Sequence, residues 1–362
     1  MPEIDLNNMD TLIRQDPGGM LALTEKFPLQ CAEAIRLGHE FKLPENYGPI
    51  NKIVVTGLGG SAIGGDFLRA YLSPAQLKLP FIVNRHYALP SYVDAQSLVL
   101  AVSYSGNTEE TLGAFKDALK KKAKIIVITS GGELKNLARR FHKPCMVVPG
   151  GQPPRASTGY LFFTALCVLE QLKLIPRQTK ALEETLQLLN QMKRQYGGDV
   201  PIRKNAAKKL ALSLQGKVPV IYSASDYYDV VGLRWKTQIN ENSKGLALVN
   251  VIPEMNHNEI LGWEALPALM KNFAVVFLRD KADHTRVQIR MSITQQLIRH
   301  DAGMMTEVWA KGRSPLARMF SLIVLGDFTS VYMAFLNKVD PTSIDRINYL
   351  KKSLAKAGAF VK

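Results

Sequence analysis

The stretch KIVVTGLGGSAIGGDFLRAYL, residues 52–72, decides the fold. A short β-branched run ends in clustered glycines, and a helix-length segment follows at once. β-Branched side chains fit a pleated, buried surface, so the run reads as a strand. The glycines permit a sharp turn and a close approach of the backbone to a ligand. The same rhythm returns at PFIVN (80–84), SLVLAVS (97–103), KIIVITS (124–130) and CMVVPG (145–150). Helix-length segments such as EETLGAFKDALKKK lie between most of these runs. Continuous apolar strands alternating with helices predict a parallel sheet covered on both faces.

Working outward, residues 1 to about 45 read as helical, with breaks near Pro17-Gly18-Gly19 and Pro28. Residues 158–215 read as a long helical region containing the amphipathic ALEETLQLLNQMKRQY. A second α/β rhythm starts at VPVIYSAS (218–225) and continues through LALVNVIP (246–253), FAVVFLRD (273–280) and MMTEVWAK (304–311). The predicted class is therefore α/β, with two doubly wound, three-layer, flavodoxin-like domains. The expected boundaries are an N-terminal helical segment at 1–45, a first domain at 46–185, linking helices at 186–215 and a second domain at 216–362.

Composition narrows the function classes. A chain of 362 residues, 46% hydrophobic and 21% charged, is expected to fold and is long enough for two domains. No uninterrupted apolar span reads as a membrane helix, and the early acids of MPEIDLNNMDTLIRQ do not read as a secretory signal. Cys31, Cys145 and Cys167 form no CxxC pair, which argues against disulfides and zinc and for a reducing cytoplasm. The six histidines lack paired ligand spacing, so no metal is expected. The formal charge of +15 is dispersed, with short clusters such as Lys120-Lys121-Lys122. It reads as general basicity rather than as a nucleic-acid surface.

Two loops carry the chemistry. In TGLGGSAIGG, the amides at a helix start and the Ser61 hydroxyl favour an anion. In SYSGNTEETL, Ser103, Ser105, Asn107 and Thr108 precede another helix. Taken alone, that motif also reads as a well-capped helix, with Asn107 or Thr108 as N-cap and Glu110 closing a capping box onto Asn107. Topology favours the ligand. In a sheet of order 2-1-3-4-5, the loops after strands one and three flank the switch point where ligands bind. Their hydroxyls and amides would converge on a phosphate, with Glu109 and Glu110 projecting away from it. Gly57-Leu58-Gly59-Gly60-Ser61-Ala62 also fits a dinucleotide fingerprint, and Arg85 after the second strand would permit NADP. That reading leaves the serines after strand three without a role.

The motifs GGSAIGG (59–65), SYSGNTEET (103–111) and PRASTGY (154–160) resemble the sugar-isomerase (SIS) domain. NENSK (240–244) and NHNEI (256–260), in this order, resemble the bifunctional phosphoglucose/phosphomannose isomerase family. The resemblance runs from about residue 45 to the C-terminus. It implies two SIS domains with the active site in the cleft between them, a homodimer, and interconversion of glucose 6-phosphate, and of mannose 6-phosphate, with fructose 6-phosphate through a cis-enediol, without metal or cofactor. It places the substrate phosphate on Ser61, Ser103, Ser105 and Thr108, with Gly60 in the first loop. It makes Glu241 the general base, Arg155 the group that stabilises the enediolate, and His257, from the neighbouring subunit, a ring-opening group. It makes Lys351 the second ring-opening residue, with the adjacent Lys352 as a competitor. Glu259 is a second, less favoured carboxylate. No nucleic-acid or membrane partner is expected. Three other readings stand beside this one: a non-catalytic sugar-phosphate-binding regulator, an NADP oxidoreductase and an amino-sugar isomerase. The N-terminal ~45 residues are short for the DNA-binding domain that a regulator would carry.

Overall fold

The computed structural model describes residues 4–44, 47–72, 77–225 and 227–357. The first sheet contains β1 (Lys52–Thr56), β2 (Phe81–Asn84), β3 (Ser97–Val102), β4 (Lys124–Thr129) and β5 (Cys145–Val147). All pairings are parallel and the order is β2-β1-β3-β4-β5. Each of the five predicted strands is present, and every residue of the central β3 is buried. The order reverses between β1 and β3, so the two loops singled out in the sequence meet at the switch point.

The second sheet contains β6 (Val218–Ala224), β7 (Leu248–Ile252), β8 (Phe273–Arg279) and β9 (Met304–Trp309). It is parallel throughout, in the order β7-β6-β8-β9. Ahead of the first sheet lie helices Met9–Gln15, Met20–Glu25 and Phe27–Glu40. The expected break at Pro17–Gly19 is present. So is the break near Pro28: one helix ends at Glu25, the next begins at Phe27, and Pro28 sits in the first turn of the second. Its missing N–H would have no intrahelical partner at that position anyway. The helical region between the sheets consists of Thr158–Gln171, Thr179–Tyr196 and Ala206–Leu214.

The helix Pro315–Leu336 corrects one expectation. It has 22 residues and an 18-residue window of mean hydropathy 1.7, which is long and apolar enough to cross a membrane by composition. A search for unbroken apolar runs stops at Gly326-Asp327 and misses it. Its most apolar window is fully buried within the protein, so here its apolar character makes a core helix. Phe320 shows how. Its ring lies 6.1 Å from Phe27 of the N-terminal segment, 6.2 Å from Phe67 of the first domain, and 5.0 Å from both Phe162 and Phe163. One residue of the second half thus packs against the rest of the chain, and both halves share one continuous hydrophobic core.

Phe320→Ala is expected to cost about 3–5 kcal/mol, because the cavity it leaves is walled by four other rings. Urea denaturation followed by fluorescence and circular dichroism checks this. The expected result is a lower midpoint with both probes moving together.

Candidate active site

After β1 the chain turns through Gly57 and Gly59, the latter at φ 54°, into helix Gly60–Leu72. A Cβ on Gly60 would lie 2.6 Å from the Pro154 carbonyl oxygen. Only glycine lets the helix start pass so close to the turn that carries Arg155. Ser61 is buried, and its Oγ accepts a hydrogen bond from the Tyr104 N–H at 3.2 Å. The two predicted loops are therefore in direct contact. Ser103 Oγ lies 2.9 Å from Thr108 Oγ1 and accepts from the Gly106 N–H at 3.1 Å. Ser105 is exposed, and its Oγ accepts from the Asn107 N–H at 3.3 Å.

Thr108 is the N-cap of helix Glu109–Lys120, but its side chain makes no capping bond. The expected capping box is absent as well. Asn107 Oδ1 accepts from the Glu133 N–H at 2.9 Å, and Glu110 faces the Tyr87 hydroxyl, whose pKa its charge raises. The Thr108 hydroxyl turns toward Ser103 instead. The first-turn amides of that helix keep no side-chain acceptor, which suits an anion better than a capped helix does.

Arg155 lies in the short turn Pro154–Ala156 and is 3% exposed. Its Nε donates to Asn242 Oδ1 at 2.7 Å. Its Nη2 donates to the carbonyls of Pro341 at 2.6 Å and Thr342 at 3.1 Å. Its Nη1 lies 3.4 Å from Glu241 Oε2. Burial works against the Arg155 charge, and the Glu241 carboxylate counters that effect. Glu241 itself lies in a π-helical turn, Ile239–Ser243, which widens the end of helix Asp229–Gln238. Such turns re-aim side chains and recur at functional sites. Lys244 closes the turn at φ 57° and folds its Nζ back onto the Glu241 carbonyl at 2.5 Å. Burial, and then the charge of Arg155, lower the Lys244 pKa.

A second buried arginine, not singled out in the sequence, supports the first. Arg234 is bidentate to Asp327 at 2.8 and 3.1 Å. It also donates to Thr158 Oγ1 at 2.9 Å and to the Arg155 carbonyl at 3.0 Å. The available signal was Asp327, an acid inside the apolar run SLIVLGDFTSVYM, because a buried carboxylate requires a partner. Burial raises its pKa, and Arg234 opposes the shift.

Together these residues bound a cavity of about 210 Å³, lined by Gly59, Gly60 and Arg85 on one side and by Arg155, Thr237, Gln238 and Glu241 among others. Clefts of about 640 and 600 Å³ also exist, one at the 41–50 loop and one beside helix Thr285–Ile298. They contain none of the predicted site residues. Ser61, Ser103, Ser105 and Thr108 do not line the cavity that holds Glu241, and neither do His257, Lys351, Lys352 and Glu259. His257 is exposed at the end of the 3-10 turn Glu254–His257. Lys351 and Lys352 are both exposed on helix Asp345–Ala357. Glu259 is committed elsewhere, with one oxygen accepting from the Tyr222 hydroxyl at 2.6 Å and the other from Asn250 Nδ2 at 2.5 Å.

Among the described residues, one group has the spacing to hold a cation: His39, Cys167 and Glu170. Burial pushes the Cys167 thiol up to about 12, and Glu170 already accepts from the Gln178 N–H at 2.7 Å. None of the three lines the cavity that holds Glu241.

The fold and the two loops define a protein of the sugar-isomerase class. The profile described as SIS domain matches residues 49–149, and that of the bacterial phospho-glucose isomerase C-terminal SIS domain matches residues 203–354. The chain is 46% identical to the bifunctional phosphoglucose/phosphomannose isomerase of Caldicellulosiruptor bescii, over 91% of this chain and 97% of that protein. It is 36% identical to the enzyme of the same name from Aquifex aeolicus, over 85% and 92%. The chain belongs to the bifunctional phosphoglucose/phosphomannose isomerase family. Its fold matches that of a glucose-6-phosphate isomerase-like protein from Thermus thermophilus, with a TM-score of 0.64 at 18% identity, over 94% of this chain and 98% of that one.

Asp327→Ala strands the Arg234 guanidinium in the core and is expected to cost about 3–5 kcal/mol. The double change Arg234→Met with Asp327→Leu is expected to recover most of that loss, because no charge is left unpaired. Denaturant midpoints of the two variants check this.

Proposed function

We propose that the protein interconverts fructose 6-phosphate with glucose 6-phosphate and mannose 6-phosphate. The observation that carries this reading is the meeting of Glu241 and Arg155 in a cavity whose opposite wall is the Gly59-Gly60 turn. The hydroxyls of Ser61, Ser103, Ser105 and Thr108, with the amide of Gly60, hold the phosphate at the switch point. Glu241 removes the proton from C1 of the open-chain ketose, and electrons move to the carbonyl oxygen at C2. Arg155, whose charge is fixed in place, stabilises the cis-enediolate that forms. A proton passes from the C1 hydroxyl to O2, which moves the negative charge to O1. Glu241 then returns its proton to C2, the carbonyl forms at C1, and an aldose results. Delivery to either face of C2, after rotation about C2–C3, gives the two epimers. No metal or redox cofactor takes part in these steps. The free thiols of Cys31, Cys145 and Cys167 favour a reducing cytoplasm.

His257 and Lys351 open the sugar ring, with His257 supplied by a second copy of the chain. Its exposure supports this, as do the exposed Leu246, Leu248, Leu261 and Leu266 on either side of it in the chain. Helix Asp345–Ala357 likewise exposes Ile347, Leu350 and Leu354, an apolar stripe able to bring Lys351 to the cleft on assembly.

Two experiments test the reading. Glu241→Gln is expected to lower turnover of fructose 6-phosphate by roughly 10²–10⁴-fold while the ligand still binds. Unchanged turnover removes Glu241 from the mechanism, and a wild type that binds but never turns over favours the regulatory alternative. Separately, Glu241→Gln and His257→Asn chains, each inactive, are mixed after subunit exchange. If the histidine crosses the interface, half of the sites in mixed dimers are intact, and about a quarter of wild-type activity returns. No recovery places both groups in one chain.

A further inference from the structure

Arg85 follows β2 and lines the same cavity as Gly60, Arg155 and Glu241. Three arginines meet there, and two are saturated. Arg155 and Arg234 spend their donors on protein acceptors and are almost wholly buried. Arg85 differs. Among the described residues, its one hydrogen-bond partner is Asp66, which takes Nη2. Its side chain is 39% exposed. Asp66 is itself 6% exposed, on the face of helix Gly60–Leu72 that also carries Ile63 into the cavity. That helix is fixed to helix Asp229–Gln238 by the Arg69–Asp229 pair at 3.0 Å. A buried carboxylate thus anchors one edge of the guanidinium and leaves its other donors for the cavity.

Position sets Arg85 apart from the hydroxyls of the loop after β3. The hydroxyl-rich loops lie between β1 and β3, whereas β2 flanks β1 on its other side. The remaining chemistry in the cavity is a chain of neighbouring hydroxyls, which a planar fork of N–H donors matches. We propose that Arg85, anchored by Asp66, is a substrate-binding residue that donates hydrogen bonds to hydroxyl oxygens of the open sugar chain and holds it against Glu241. This rests on the cavity being the sugar site. Because these bonds form in the bound ground state and persist through proton transfer, Arg85 sets KM more than kcat.

The test uses the full chain with Arg85→Ala, Arg85→Lys and the double change Asp66→Asn with Arg85→Ala, which avoids a stranded buried carboxylate. Arg85→Ala is expected to raise KM for fructose 6-phosphate by about 10-fold, the loss expected for hydrogen bonds from a charged donor. The expected change in kcat is less than about threefold, with partial rescue in Arg85→Lys. The double variant should show the same KM. Inhibition by inorganic phosphate should stay unchanged, since that probe needs only the hydroxyl loops. Three results overturn the proposal: a KM within twofold of wild type, a parallel loss of phosphate inhibition, or NADP binding that depends on Arg85. Calorimetry with fructose 6-phosphate, with each change made in the Glu241→Gln background, gives the same comparison without turnover. The Arg85 proposal therefore fails separately from the isomerase reading.

Discussion

A guanidinium enclosed between the two halves of the chain holds the site together. Arg155 belongs to the turn after the first sheet, yet its partners are Asn242, Glu241 and the carbonyls of Pro341 and Thr342. An unpaired buried cation costs several kcal/mol, so the turn cannot be buried unless the second half supplies those acceptors. The reverse holds as well. Arg234, from the second half, caps the Arg155 carbonyl and reaches Thr158. Docking of the halves and assembly of the cavity are one event.

The same arrangement sets the electrostatics. Arg85, Arg155 and Arg234 line the cavity, with Lys244 bonded to the Glu241 carbonyl beside it. Against them stand Glu241, Asp327 and Asp66. Asp327 is neutralised by its bidentate pair, and Asp66 by Arg85. Glu241 is left as the carboxylate that faces the cavity, close to a fixed positive charge. That environment suits a reaction in which a carboxylate takes a proton while an oxyanion grows nearby. Much of the chain's +15 charge lies elsewhere on dispersed lysines and arginines.

The sheet order and the meeting of the two hydroxyl loops were legible because they follow from local pattern: β-branched runs, glycine turns and the parallel rule. The pairing of Asn107 with Glu110 was misread. Cap statistics weigh a helix in isolation, whereas Asn107 serves a neighbouring turn and Thr108 faces Ser103. The helix around Asp327 was overlooked as a long apolar element because a single acid interrupts the run, although that acid marks a buried partner. Arg234 itself left no trace in the sequence, since nothing local distinguishes a core arginine from a surface one. The π-helical extension of helix Asp229–Gln238, which aims Glu241, has no propensity signature. His257 and the two lysines of the last helix are exposed in the single chain, and no local pattern says what would cover them.

The most direct measurement is a crystal structure of the Glu241→Gln protein with fructose 6-phosphate bound. The account predicts phosphate oxygens within hydrogen-bonding distance of the Ser61, Ser103, Ser105 and Thr108 hydroxyls, with C1 and C2 between position 241 and Arg155. A phosphate seated away from those two loops, or reacting carbons remote from Arg155, would contradict it.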